Sequence, residues 1–137
     1  MSKPTLEMSR PVNILVLDDD PTWRRFVKFT LESELNTTAL VASNGKEALS
    51  MLAECPIDVV ISDLQMPIMD GFQFLKQARI QFPDTKVIIM SSAFEPLTPT
   101  PPALTEAGAL AIVSKLEINS TLVTLLRNLC FVSPDCK

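Results

Sequence analysis

Five short apolar runs, at residues 12–17, 38–42, 57–62, 86–90 and 110–113, limit what this chain can fold into. They read as largely continuous rather than alternating, as strands buried on both faces of a parallel sheet do. Between them the period changes to that of a helix. Trp23, Phe26, Val27, Leu31 and Leu35 recur at helical spacing. Ala48, Leu49 and Leu52 share the inner face of a helix over 46–54 that Asn44 can cap. Phe72, Leu75 and Ala78 share a face over 71–81, and Leu122, Leu125, Leu126 and Leu129 lie on a last helix capped by Asn119 or Ser120. The order is (βα)5, which right-handed crossovers wind into a three-layer sandwich. One segment interrupts it: "EPLTPTPP", residues 95–102, carries four prolines. Proline removes a helix hydrogen bond and clashes with the preceding turn, so the fourth helix is expected to be short, over 102–107, or absent.

The 137 residues suit one domain, expected over 11–131, with a flexible arm at 1–10 and a tail at 132–137. A net charge of -4 argues against a nucleic-acid or anionic-membrane surface. No apolar run approaches a membrane span, and the start, MSKPTLEMSRP, lacks the apolar stretch of a secretory signal. Cys55, Cys130 and Cys136 have no C-x-x-C spacing, so a reducing cytoplasm is the expected compartment. The chain has no histidine, which removes Ser-His-Asp and Cys-His catalysis. Gly45, Gly71 and Gly108 cannot build a phosphate loop. Phosphate chemistry here would have to rest on carboxylates, hydroxyls and lysines.

Ligands of doubly wound sheets bind beyond the carboxyl ends of the strands. Those ends carry Asp18 and Asp19 on the first strand, Asp63 on the third, Ser91 and Ser92 on the fourth, and Lys115 on the fifth. Each residue alone would be an ordinary loop residue; together they form a charged cluster. Clustered carboxylates call for a counter-charge, and Mg²⁺, a hard cation that prefers oxygen ligands, supplies one. A free carboxylate is also a nucleophile toward phosphorus. Asp20 precedes Pro21 and reads as a helix N-cap, turned away from the cluster. Trp23 reads as packing, and Arg24 and Arg25 as a solvated helix face.

The segments "ILVLDDDP", "VVISDLQMPIMDGFQFL", "VIIMSSA", "AGA" and "SK" resemble the receiver domains of two-component response regulators, over roughly residues 12–129. The resemblance implies a flavodoxin-like fold with sheet order 2-1-3-4-5. It implies Asp63 as phosphoacceptor, Asp18, Asp19, Asp63 and the Gln65 carbonyl as Mg²⁺ ligands, Ser92 as switch hydroxyl and Lys115 as phosphate-binding lysine. A histidine kinase or histidine phosphotransfer protein would be the donor and an unknown protein the target, with a phosphorylation-dependent homodimer left open. No effector domain fits in 137 residues, so output is expected by protein contact, unless the domain is excised from a longer chain.

Three features depart from the family pattern. Leu116 follows the lysine where the family has proline, Ile112 replaces an aromatic residue, and the proline patch falls on the fourth helix. A trans bond is expected before Leu116, since cis costs about 2.5–4 kcal/mol there. These departures admit a second reading, a degenerate receiver-like interaction module. A third, enzymatic reading takes Asp18, Asp20 and Thr22 as the D-x-D-x-T motif of haloacid-dehalogenase-type phosphatases.

Overall fold

The computed structural model describes residues 12–35, 37–92 and 99–130. The expected arm and tail, and part of the proline patch, lie outside the described residues. Five parallel strands, β1 (Asn13–Leu17), β2 (Thr38–Ala42), β3 (Val59–Asp63), β4 (Lys86–Ser91) and β5 (Ala111–Ser114), form one sheet in the order β2-β1-β3-β4-β5. This is the flavodoxin-like order. Successive residues of a strand point to opposite faces, so every strand feeds two cores. Ile14 and Val16 of β1 join Ile61, Ile88 and Val113 beneath Val27, Leu31, Leu122 and Leu126. Leu15 and Leu17 join Val60, Val87 and Ile89 beneath Ala48, Leu52, Phe74, Leu75 and Leu104. The five residues of β3 are all buried.

The first three helices begin where side chains satisfy free N–H groups. Helix α1 (Pro21–Leu35) starts at proline, and Asp20 Oδ1 accepts from the N–H of Thr22 at 3.0 Å and of Trp23 at 3.4 Å. Helix α2 (Gly45–Glu54) is capped by Asn44, which accepts from Glu47 N–H at 2.9 Å. The Glu47 carboxylate reaches back to Ser43 N–H and Oγ at 2.8 and 2.9 Å. Those bonds hold its pKa below the usual carboxylate range. Helix α3 (Gly71–Gln81) has a reciprocal capping box between Asp70 and Gln73. Helix α4 (Pro101–Glu106) is six residues long, with prolines at its first two positions, as the proline patch predicts.

Four details differ from the sequence reading. Helix α5 (Val123–Cys130) is not capped by Asn119 or Ser120. The chain instead enters through a 3-10 turn (Lys115–Glu117), whose Leu116 N–H donates to Ser114 Oγ, and a π-helical turn (Ile118–Leu122). Ile118, Leu122 and Val123 all reach the core across this π turn. On α1, Phe26 is 45% exposed and Thr30 is buried in its place. On α3, Phe74 is fully buried while Phe72 is only partly so. Strands β3 and β5 are each displaced toward the C-terminus, because pairing with β4 continues to Asp63 and Ser114.

Edge strand β2 is engaged at one residue. Lys28 and Glu32, paired at 2.7 Å on α1, bond the outward backbone of Ala39: the lysine donates to its carbonyl, and Glu32 Oε2 accepts its N–H at 2.9 Å. The Lys28 and Ala39 bonds lower the Glu32 pKa. Among the described residues, no helix is long and apolar enough to cross a membrane.

Candidate functional site

The site lies where β1, β3 and β5 end. Asp18 follows β1, and its N–H still bonds Ala42 O at 3.2 Å, so the strand delivers it with little freedom. The residue is fully buried. Its Oδ1 accepts Asp20 N–H at 2.9 Å, which aims Oδ2 at the Lys115 ammonium, 3.1 Å away. That Oδ2 has no directed hydrogen bond. Asp63 closes β3, and the ladder continues past it through Leu64 N–H to Met90 O at 3.1 Å. Its Oδ1 lies 3.4 Å from Lys115 Nζ. Carboxylate oxygens of Asp18, Asp19 and Asp63 fall within 4.8 Å of one another, with Asp19 exposed.

Electrostatics follow from this packing. Burial raises the Asp63 pKa to about 6, the Asp18 charge adds to the rise, and Lys115 opposes it. Burial alone would pull the Lys115 ammonium down. The facing Asp63 and Asp18 charges outweigh that and hold its pKa above the ordinary lysine value. Lys115 thus faces two carboxylates whose charges favour its protonated form, and its own charge opposes the rise at Asp63.

The structure brings together Asp18, Asp19, Asp63 and Lys115. Ser92 stands at the same edge, exposed, two residues beyond Met90, which is the register partner of Asp63. Gln65 is exposed in the loop between β3 and α3. Asp20 Oδ1 is occupied by two backbone N–H groups at the start of α1, so the acid/base role of the phosphatase pattern does not suit it.

Two residues carry more than their sequence suggested. Arg24 is not a solvated residue: it is half-buried, and its Nη1 donates to the Asp18 carbonyl at 2.7 Å, clamping the acidic turn to α1. Its position six residues beyond Asp18, one turn into the helix, was the available signal. Gly71 packs against Asp63, and a Cβ there would lie 2.3 Å from the Asp63 carbonyl oxygen. The loop between them also holds Ile68 at φ 72°, in a γ-turn closed by Met69 N–H to Pro67 O at 2.7 Å.

The family model described as response regulator receiver domain matches residues 14–127. The uncharacterized transcriptional regulatory protein YhcZ of Bacillus subtilis (strain 168) is 37% identical over 82 residues, 59% of this chain and 38% of that protein. The chain therefore spans well under half the length of that relative. The receiver domain of the Francisella response regulator 1452 superposes with a TM-score of 0.76 at 32% identity, covering 89% of this chain and 97% of that one. The chemotaxis protein CheY4 of Vibrio cholerae does so with a TM-score of 0.76 at 27% identity, covering 87% and 98%.

Proposed function

This chain belongs to the receiver domain family of two-component response regulators, and we propose that it accepts a phosphoryl group on Asp63 from a phosphohistidine of a histidine kinase or histidine phosphotransfer protein. The observation that carries this reading is the triangle in which Lys115 Nζ lies 3.1 Å from Asp18 Oδ2 and 3.4 Å from Asp63 Oδ1. An Asp63 oxygen attacks phosphorus, the P–N bond breaks, and its electron pair leaves with the imidazole, which takes up a proton. The Lys115 ammonium is close enough to pass from Asp63 to an oxygen of the arriving phosphoryl group. The Ser92 hydroxyl, at the end of the neighbouring strand, donates to a second.

The acid cluster suits a hard divalent cation. Its donors are all oxygen, three carboxylates converge within 4.8 Å, Asp18 Oδ2 is buried without a directed hydrogen bond, and the Asp63 pKa is raised by burial and by the neighbouring Asp18 charge. Asp18, Asp19, Asp63 and the Gln65 carbonyl would hold Mg²⁺. When bound it supplies positive charge against the transferring group. Output follows by protein contact through the face of α4, β5 and α5. The six-residue α4, and the half-buried aliphatic Ile112 on β5, support a surface remodelled relative to other members.

The test is intact-protein mass spectrometry after incubation with acetyl phosphate and Mg²⁺. Wild type gains one acid-labile phosphoryl group and Asp63→Ala gains none. A wild type that takes up neither a phosphoryl group nor beryllofluoride overturns the reading and leaves the interaction module.

A further inference from the structure

The strap that carries Lys115 is poorly anchored by packing. Val113 is buried before it and Ile118 after it, while Leu116 is 71% exposed and Glu117 is exposed. The first hydrogen bond beyond Lys115, Leu116 N–H to Ser114 Oγ at 3.1 Å, is local and turns the chain without tying it to the sheet. The position of the ammonium therefore depends on what the side chain itself meets. Two of its partners are the carboxylates already described. The third belongs to α1: Lys115 Nζ stands over the Trp23 ring, 5.3 Å from its centroid.

We propose that Trp23 is a positioning residue for Lys115, its indole face holding the ammonium at the junction of Asp18 and Asp63, where a phosphoryl group would be met. This deepens the receiver reading above and rests on it. A cation within about 6 Å of a tryptophan centroid is attracted by the negative face of the ring, and more strongly where water is partly excluded. Lys115 is about a quarter exposed, so the contact is neither fully solvated nor buried. The ring itself is well fixed. Trp23 packs against the core cluster of α1 and lies against Phe26 with centroids 5.3 Å apart and planes tilted by 40°.

The surroundings fit this role. A groove of about 400 Å³ runs between the start of α1 and the turn after β5, with Trp23, Phe26, Lys115, Leu116 and Ile118 among its walls. Asn119 and Ser120 complete the lining, so the ammonium has an apolar wall of Trp23, Leu116 and Ile118 beside it and polar side chains beyond. A residue that merely filled space would be replaceable by any aliphatic side chain. A residue that acts through its π face is replaceable only by another ring.

That difference is the test, made on the full chain with Trp23→Leu and Trp23→Phe. The first reading is metal-free: the NMR shift of the Lys115 ε-methylene, assigned by its loss in Lys115→Arg. Ring current displaces it upfield in wild type and in Trp23→Phe, and the displacement disappears in Trp23→Leu. The second is the initial rate of Asp63 phosphorylation by acetyl phosphate with saturating Mg²⁺. Trp23→Leu slows it roughly three- to tenfold, the size of one cation–π contact, and Trp23→Phe stays close to wild type. Thermal unfolding of both variants sets any loss of folding apart, and Trp23→Met replaces Trp23→Leu if the latter does not fold. The proposal is overturned if Trp23→Leu keeps the wild-type shift and rate, or if the leucine and phenylalanine variants are slowed alike. If wild type takes no phosphoryl group, the receiver reading falls, and the ring-current shift alone decides whether Trp23 holds Lys115.

Discussion

Gly71, the first residue of α3, rests against the backbone of Asp63, the last residue of β3: a Cβ at position 71 would stand 2.3 Å from the Asp63 carbonyl oxygen and 2.8 Å from Leu64 Cα. The helix can start this close to the strand end only because residue 71 has no side chain. Both opposing atoms are backbone, so relief requires moving the segment that carries the Asp63 carboxylate. Gly71→Ala is expected to cost about 1–3 kcal/mol in urea denaturation and to slow phosphorylation by acetyl phosphate. Gly45→Ala is the control. Its Cβ meets the flexible end of Met69, with Sδ 2.7 Å away, and should cost clearly less. Equal costs would mean that β3 and α3 can separate freely.

The free acid cluster should limit stability at neutral pH. Burial first, and then the Asp18 charge, raise the Asp63 pKa from 3.8 to about 6. The folded chain thus binds this proton more tightly than the unfolded one. Its contribution to stability is complete below the unfolded pKa and is lost as pH rises through the folded pKa. Without divalent cations, Asp63→Asn should match wild type near pH 4 and exceed it increasingly toward pH 7, by up to about 3 kcal/mol. Added Mg²⁺ should narrow the gap. Parallel stability curves for the two proteins from pH 4 to 7 would contradict the raised pKa.

Lys28 and Glu32 occupy the outward N–H and carbonyl of Ala39 on edge strand β2. With Lys28→Ala and Glu32→Ala combined, the Ala39 N–H and carbonyl lose their side-chain partners. A loss of about 1–2 kcal/mol and concentration-dependent association are expected, read by urea denaturation and light scattering. A double variant that stays monomeric and equally stable would show that water serves this edge as well.

Ile68 is a β-branched residue at φ 72° and is 74% exposed, so it has strain without much burial to offset it. Asparagine tolerates this region better. Ile68→Asn should raise stability by about 0.5–1 kcal/mol, seen as a higher unfolding midpoint. An unchanged or lower midpoint would mean that the exposed isoleucine packs more usefully than its surface suggests.

How legible each part was in the sequence depends on where its cause lies. Helix α3 spans 71–81 as its pattern predicts, because Asp70 and Gln73 settle its start locally. Asn44 is likewise readable as the α2 cap, and four prolines announce the short α4. The convergence of Asp18, Asp63 and Lys115 follows from parallel topology, since each lies at or just beyond the carboxyl end of a strand. The entry to α5 could not be read the same way. Ile118 and Val123 are both buried on either side of a π turn, a tertiary arrangement with no local marker. The role of Arg24 is not readable for a related reason: its partner is a backbone carbonyl, and a carbonyl has no letter in the sequence.

The cluster is assembled from distant parts of the chain, and their order has a consequence during synthesis. Asp18, Asp19 and Asp63 leave the ribosome well before Lys115, the cation that stands between two of them. A nascent sheet lacking β5 would hold the acid pocket without the Lys115 ammonium. Docking the last strand relieves that repulsion, so the charge imbalance favours completion of the fold from the C-terminal end. A chain halted before residue 115 would bring its three carboxylates together without the ammonium that faces two of them.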